Sequence, residues 1–277
     1  VRNGVVVRGP QRDPVRLPHQ ARGIGMIGTL AGGKSLPPAI PLVIGVSWIL
    51  IVVAQLTAAA EIVHHDGLID AGLPLSMAII VFGLSWQTMV VAMMLPTSLP
   101  MIRLFRMTSG SQPRQGRLIA VFLSGYALVW MGFGFAALGG DVLLHHFADS
   151  SAWLSSRPWL LPASVLTLAG LFQFSSLKDR CLRECRHPGP FLVRHYRRGP
   201  GAALELGLRH GLFCLGCCWA LMLLMFAVGV ANLIWMAVLT ALMVYEKTGR
   251  LGEWVSRYAG VTFLLMAVVV TLTRSGF

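Results

Sequence analysis

Three of the chain's five cysteines lie in one apolar segment together with a histidine. His210, Cys214 and Cys217 are spaced i, i+4 and i+7, so on a helix they share one face, and Cys218 lies beside them. Imidazole and thiolate, with the thioethers of the methionines in the same segment, are ligands of soft metals, above all Cu(I) and next Zn(II). Because cysteine also packs as a small hydrophobe and methionine fills gaps in cores, simple packing is the alternative.

A second cysteine pair lies in the run KDRCLRECRHP, where Cys181 and Cys185 are spaced i, i+4 and His187 follows. The distribution of arginine and lysine places this run at the same, cytoplasmic face of a membrane as the first group. A cytoplasmic position argues against permanent disulfides. Two unrelated sets of buried thiols are the alternative to one shared site. The predicted metal ligands are Cys181, Cys185, Cys214, Cys217 and Cys218, with His210 and His187 as assisting ligands.

The segment WQTMVVAMMLPTSLP carries two further features that bear on chemistry. Met89 and Met93 share a helix face and Met94 is adjacent, which predicts either a methionine-lined path for a soft ion or ordinary core packing. Pro96 and Pro100 are expected to kink or end this helix. Backbone carbonyls freed in this way need other partners inside the protein or a polar cavity.

Two other groups of ionisable residues are weaker candidates. Two loops predicted to face outward carry histidine and aspartate, which together could hold Cu(II) or Zn(II), although solvated loop histidines are commoner. Glu246 and Lys247 end the sixth expected span, where they could pair with each other, approach the cysteines or anchor the helix end. The loop residues are His64, His65, Asp66, Asp141, His145 and His146.

The elements that must position these residues are membrane helices. Of the 277 residues, 55% are hydrophobic and 12% are charged, whereas soluble domains average about 25% charged. The sequence therefore predicts an all-α, polytopic transmembrane helical bundle with about seven spans, or six if one segment of the hairpin near residues 229–232 is re-entrant. The expected spans are 41–60, a second from 75 to about 105, 118–140, 159–177, 210–232, a sixth ending near 245, and 258–273.

Residues 1–39 are basic and rich in glycine and proline, and they are predicted to be a disordered cytoplasmic tail, with residues 40–277 as the transmembrane domain. The loops 103–117, 178–209 and 246–257 are expected to be cytoplasmic with the N-terminus, because arginine and lysine gather there. The net charge of +12 is accordingly assigned to topology and not to nucleic-acid binding. The expected location is a bacterial inner membrane, with the lipid bilayer as a partner.

The chain resembles a bacterial family of predicted metal-binding integral membrane proteins that carry a domain of unknown function. The resemblance covers about residues 75–250 and implies metal binding by a multipass membrane protein, while it leaves the metal, the reaction and any transported substrate open. It rests on WQTMVVAMMLP at 86–96, LKDRCLRECRHP at 177–188 and CLGCCW at 214–219, and it extends to Asn232, Trp235, Met236 and the Glu246-Lys247 pair.

These patterns predict an integral membrane protein that binds copper, with zinc as the second choice, for transport or for delivery. Its partner would be a metal-donor protein, a metal-acceptor protein or a larger membrane complex. Two alternatives stay open: a non-catalytic accessory subunit of such a complex, and a membrane thiol oxidoreductase in which the CxxxC and CxxCC groups exchange. The sequence contains no Walker loop, no Asp-Lys-Thr-Gly motif and no evident serine–histidine–acid set, so no catalytic residues are predicted.

Overall fold

The computed structural model describes residues 36–57, 74–228 and 232–274, and every regular element in these ranges is a helix. The prediction of an all-α chain is confirmed for them. The predicted tail up to residue 35 and the loop residues His64, His65 and Asp66 lie outside the described residues. The helices are α1 (Ala39–Leu56), α2 (Leu75–Thr108), α3 (Gln115–Ser150), α4 (Ala152–Ser155), α5 (Leu160–Phe172), α6 (Ser176–Arg186), α7 (Pro188–His195), α8 (Pro200–Val228), α9 (Leu233–Thr248) and α10 (Gly252–Arg274).

Five of these helices, α1, α2, α3, α8 and α10, are long and apolar enough to cross a membrane. The helices α5 and α6 pass the same criterion together, but they meet at 64°, as in a broken span or a re-entrant loop. Helix α9 has 16 residues, fewer than the roughly 20 that a perpendicular span requires. By length and composition, the described part of the chain therefore holds five candidate spans, or six with the bent pair, where about seven, or six with a re-entrant segment, were expected.

Helix α8, which carries three of the cysteines, packs against α3, α5 and α6. Two glycines bring α8 and α3 into backbone contact. A Cβ atom on Gly207 would collide with the carbonyl group of Phe122, and one on Gly125 would lie 2.5 Å from the carbonyl oxygen of Leu204. Small residues allow this close approach between apolar helices. The contact sets α3 side chains directly against the cysteine face of α8.

Helix α2 continues through Pro96 and Pro100 to Thr108, so these prolines do not end it. Pro96 has no N–H group, and the carbonyl of Ala92 consequently lacks its helical donor. Trp48 of α1 replaces that donor, because its indole Nε1 donates a hydrogen bond to the Ala92 oxygen over 3.1 Å. The two helices are thus joined at the point where the sequence predicted an unsatisfied carbonyl.

The arginine-rich segment 178–209 is helical except at residues 187 and 196–199, so the expectation of a loop is wrong for most of it. It forms most of α6, then α7 and the first turns of α8. In α6 the side chains of Cys181 and Cys185 are buried, whereas those of Arg180 and Arg183 are exposed, as the helical period requires. Similarly, Asp141, His145 and His146 lie on the last turns of α3 and not in a loop, and His145 Nδ1 lies 3.5 Å from Asp141 Oδ1.

Candidate metal site

All five cysteines are free thiols in one buried core cluster. The Sγ atoms of Cys185 on α6 and Cys217 on α8 lie 4.0 Å apart. Gly216 makes this approach possible, because a Cβ atom there would lie 2.5 Å from the Sγ atom of Cys181. The two cysteine groups that are separate in sequence therefore meet where α6 crosses α8. The cluster is formed by Cys181, Cys185, Cys214, Cys217 and Cys218.

The thiols of α8 are hydrogen-bonded within their own helix. Cys217 and Cys218 both donate to the carbonyl oxygen of Cys214, over 3.0 and 2.8 Å. The Sγ atom of Cys218 also lies 3.7 Å from the Sδ atom of Met94 on α2. Protonated thiols are satisfied in this arrangement, and a methionine thioether completes the group of sulfur atoms from a third helix.

A buried ammonium group faces these thiols. Lys247, at the end of α9, is 6% exposed, and its Nζ atom donates to the Sγ atom of Cys214 over 3.1 Å and to the Oγ1 atom of Thr97 over 2.9 Å. The hydroxyl group of Tyr126 on α3 lies 3.1 Å from the same Cys214 sulfur. Cys214 is thus contacted by one cationic and one neutral polar group, which would both stabilise negative charge on its sulfur.

The residue before Lys247 is engaged elsewhere. Glu246 accepts a hydrogen bond from Lys178 of α6, with 2.8 Å between Nζ and Oε2, and both side chains are buried. The guanidinium group of Arg186 donates to the carbonyl oxygens of Glu246 and Gly249, both over 2.9 Å. These contacts fasten the end of α9 to α6, the helix that carries Cys181 and Cys185, and Glu246 forms its ion pair with Lys178 and not with Lys247.

The two predicted histidine ligands occupy different environments. His210 is buried; its Nε2 atom lies 3.2 Å from the hydroxyl group of Ser98, and its ring stacks on Tyr126 with 5.7 Å between centroids. His210 thereby supports the tyrosine that contacts Cys214. His187 is exposed at the junction of α6 and α7, outside the buried sulfur cluster. Both assignments as metal ligands remain predictions.

Among residues 36–57, 74–228 and 232–274, no three Cys, His, Asp or Glu side chains are grouped as a ready metal site. The pairwise sulfur distances nevertheless suit a soft ion. With a metal–thiolate bond of about 2.3 Å, two sulfurs on one ion lie about 3.8 Å apart at a tetrahedral angle and about 4.6 Å apart in a line. The Cys185–Cys217 distance of 4.0 Å falls in this interval, and the Cys218–Met94 distance of 3.7 Å lies at its lower edge.

Sequence reasoning identified Met94 and Lys247 as candidates but missed three of their neighbours. Thr97 and Tyr126 lie inside apolar runs, and Lys178 lies in a segment interpreted as a cytoplasmic loop. A polar hydrogen-bonding group within a predicted span is the one signal that could have found Thr97 and Tyr126. For Lys178 the helical spacing to Cys181, at i+3, was available, but nothing in the sequence pairs it with Glu246.

Comparison with known proteins places these sulfur atoms in a functional context. No curated protein matches the chain. No solved structure matches it either. The model of the PpoB2 family, described as a copper chaperone, matches residues 83–270, a stretch that begins in α2 and ends in α10 and includes all five cysteines, Met94 and Lys247. Because that stretch is well over half of the chain, the protein belongs to the PpoB2 copper chaperone family.

Proposed function

We propose that this protein is a multipass membrane copper chaperone that holds Cu(I) in the buried sulfur cluster between α6 and α8 and passes it to a protein partner. Four observations support the proposal. The family is one of copper chaperones, several helices have the length and apolarity of membrane spans, all five cysteines are reduced and buried, and a methionine from α2 joins them. Thiolate and thioether ligands favour Cu(I) over hard divalent ions.

The position of Lys247 is the observation that carries the proposal. A buried ammonium group is costly unless an anion compensates it. Among the described residues, Lys247 Nζ has a thiol and a hydroxyl as hydrogen-bond partners and no carboxylate in an ion pair. An anion beside it would stabilise the ammonium group, and thiolates at Cys214 and its neighbours are the groups placed to supply one.

The balance of charge with Lys247 favours a monovalent ion held by two thiolates. One Cu(I) ion with two thiolates carries a net charge of −1, which the Lys247 ammonium group neutralises. A divalent ion would need more thiolates to reach the same balance. Thiols must lose their protons to bind, so each thiolate ligand that forms releases one proton, and copper affinity is expected to rise with pH.

We assign the cysteines of α6 and α8 as the copper ligands, with Met94 as a neutral ligand or a first acceptor. The Sγ atoms of Cys185 and Cys217 come from different helices and lie 4.0 Å apart, so we assign them as the two-thiolate site. Cys218 and Met94 form a second pair next to it. Movement of copper between the two pairs would require only a change of sulfur partners inside the same core, and delivery to the partner would continue from there.

A thiol oxidoreductase is the weaker reading of the same geometry. The 4.0 Å separation of Cys185 and Cys217 would allow a disulfide after a small movement. However, the family match is to copper chaperones, and all five cysteines are free thiols in the structure. Both observations favour copper binding over thiol exchange.

Copper content tests the proposed function. The wild type and a Cys214→Ser, Cys217→Ser, Cys218→Ser variant would be purified in detergent under reducing conditions, loaded with Cu(I), desalted and measured by elemental analysis. We expect bound copper in the wild type and little in the variant. A Cys181→Ser variant shows whether that thiol, the fifth predicted ligand, is needed. Equal copper in the wild type and the triple variant, with both folded by circular dichroism, would refute the sulfur cluster as the site.

A further inference from the structure

A cavity of about 210 Å³ lies outside the sulfur cluster, between the end of α5, the outer face of α6 and the start of α10. The guanidinium groups of Arg183, Arg186 and Arg257 line it, together with the carboxylates of Asp179 and Glu253. Three positive and two negative groups give its lining a net charge of +1. None of the contacts described for copper involves this cavity.

A buried amide group at the cavity lacks a partner. Gln173 lines the cavity and is 2% exposed; its Oε1 atom accepts a hydrogen bond from Ser256 over 2.8 Å. Its Nε2 atom has no hydrogen-bond partner among the described residues. A buried donor that is left unsatisfied costs free energy, so this amide calls for an acceptor from outside the chain.

The charged groups around Gln173 are also available to a ligand. In the part of the chain that the structure describes, Asp179, Arg183, Glu253 and Arg257 form no ion pair within 4.0 Å. Arg186 is held by two backbone carbonyls, but its charge is not neutralised by a carboxylate there. An anion with several acceptor oxygens would satisfy the Gln173 amide and bridge the guanidinium groups, and a phosphate group has this geometry.

Exposed aromatic side chains are neighbours of the lining residues along the chain. Trp254 is 57% exposed and Tyr258 is 67% exposed on α10, next to Glu253 and Arg257, and Phe174 is exposed next to Gln173. Tryptophan and tyrosine gather at the level of lipid headgroups in membrane proteins, and basic pockets between helices bind headgroup phosphates there. A soluble phosphate ion would gain nothing from these side chains, whereas acyl chains would cover them.

We propose that this cavity binds the phosphate of an anionic phospholipid headgroup, with Gln173, Arg183 and Arg257 as the contacting groups. The assignment rests on the membrane location in the proposed function, but it does not depend on copper. The phosphodiester oxygens accept from the amide and the two guanidinium groups, its single negative charge balances the lining, and the acyl chains lie along the exposed side chains of α10.

Lipid binding to the delipidated full chain in detergent tests the proposal. Phosphatidylglycerol would be titrated and the bound fraction measured by native mass spectrometry for the wild type, an Arg183→Gln, Arg257→Gln variant, and an Arg180→Gln, Arg250→Gln control. The control removes the same charge from exposed arginines that do not line the cavity. We expect the lining variant to lose about tenfold or more in affinity, and the control to bind as the wild type does. A Gln173→Met variant, which removes the amide donor, should also bind more weakly.

Other outcomes separate this proposal from the copper site. An equal loss of lipid affinity in the lining and control variants would mean that the lipid is attracted by overall charge, and it would overturn the assignment of the cavity as the site. Glycerol phosphate could also bind as tightly as phosphatidylglycerol, with the same dependence on Arg183. This result would assign the cavity to a soluble anion and overturn the proposal of a lipid ligand. Weak lipid binding by a wild type that retains copper refutes the cavity alone, whereas loss of copper with intact lipid binding refutes the sulfur site alone.

Discussion

The ammonium group of Lys247 should determine how tightly the sulfur cluster holds copper. Lys247→Met removes the charge from the Cys214 sulfur while it retains an apolar side chain of similar length. We expect copper affinity to fall by about 10- to 100-fold, as for other groups that contact metal ligands without binding the metal. Competition with a Cu(I) chelator measures the change. Lys247→Arg, which retains the charge, should keep part of the affinity. Tighter copper binding by Lys247→Met than by Lys247→Arg would contradict the role of charge.

The thioether of Met94 should contribute to copper binding or transfer. Met94→Leu preserves the apolar volume but removes the sulfur 3.7 Å from Cys218. We expect faster transfer of copper to a chelator in stopped-flow measurements, because the substitution removes a soft thioether ligand. Met107→Leu is the matched control, since Met107 is 44% exposed on the same helix. If the two variants release copper at the wild-type rate, Met94 serves packing and not the metal.

Close packing of α6 and α8 should set the distance between the two cysteine groups. Gly216→Ala would place a methyl group against the Cys181 side chain, so that this side chain or α6 must shift, which disturbs the approach of Cys185 to Cys217. We expect weaker copper binding with the secondary structure retained, as judged by chelator competition and circular dichroism. Gly201→Ala is the matched control on α8, because a Cβ atom there meets nothing within 4 Å. Unchanged affinity in Gly216→Ala would show that the helices do not need this contact.

The contact of α3 with α8 should dominate the stability of the bundle. Gly207→Ala forces a Cβ atom into the Phe122 carbonyl, and a rigid backbone group can yield only by separation of the helices. We expect a loss of about 1–3 kcal/mol in the free energy of unfolding, visible as a lower midpoint of thermal unfolding in detergent. Gly132→Ala on α3, where a Cβ atom has open space, should leave the midpoint unchanged or higher. Equal midpoints for the two variants would contradict the close-approach account.

Across the whole molecule, the charge distribution predicts which ends of the helices share a side of the membrane. Single cysteines introduced at Gln112 and Arg250 into a chain whose five native cysteines are replaced should both be labelled from the cytoplasmic side by a membrane-impermeant maleimide. A cysteine at Ser156 should be labelled from the opposite side. Gln112 and Ser156 flank α3, Ser156 also precedes the bent pair of α5 and α6, and Arg250 follows α9. The number of spans depends on whether the 16-residue α9 and the pair bent by 64° cross the membrane. Labelling of all three from one side would contradict the predicted orientation.

The helical class, the apolar runs and the presence of soft sulfur ligands can be derived from the amino-acid sequence alone. Apolar composition is a sum over residues, and the i, i+4 spacing of Cys181 and Cys185 is local, so neither needs tertiary information. The same local patterns misled at 178–209, because arginine density is equally compatible with a loop and with the exposed face of an amphipathic helix.

The surroundings of the cysteines, in contrast, follow from the way the helices pack together. The pairing of Lys178 with Glu246, which leaves Lys247 to the thiols, depends on α6 folding back against the end of α9. The 4.0 Å approach of Cys185 to Cys217 depends on a glycine at the helix crossing. Contacts of this kind join residues far apart in the chain, and their distances follow from how helices pack, which no spacing within a single helix encodes.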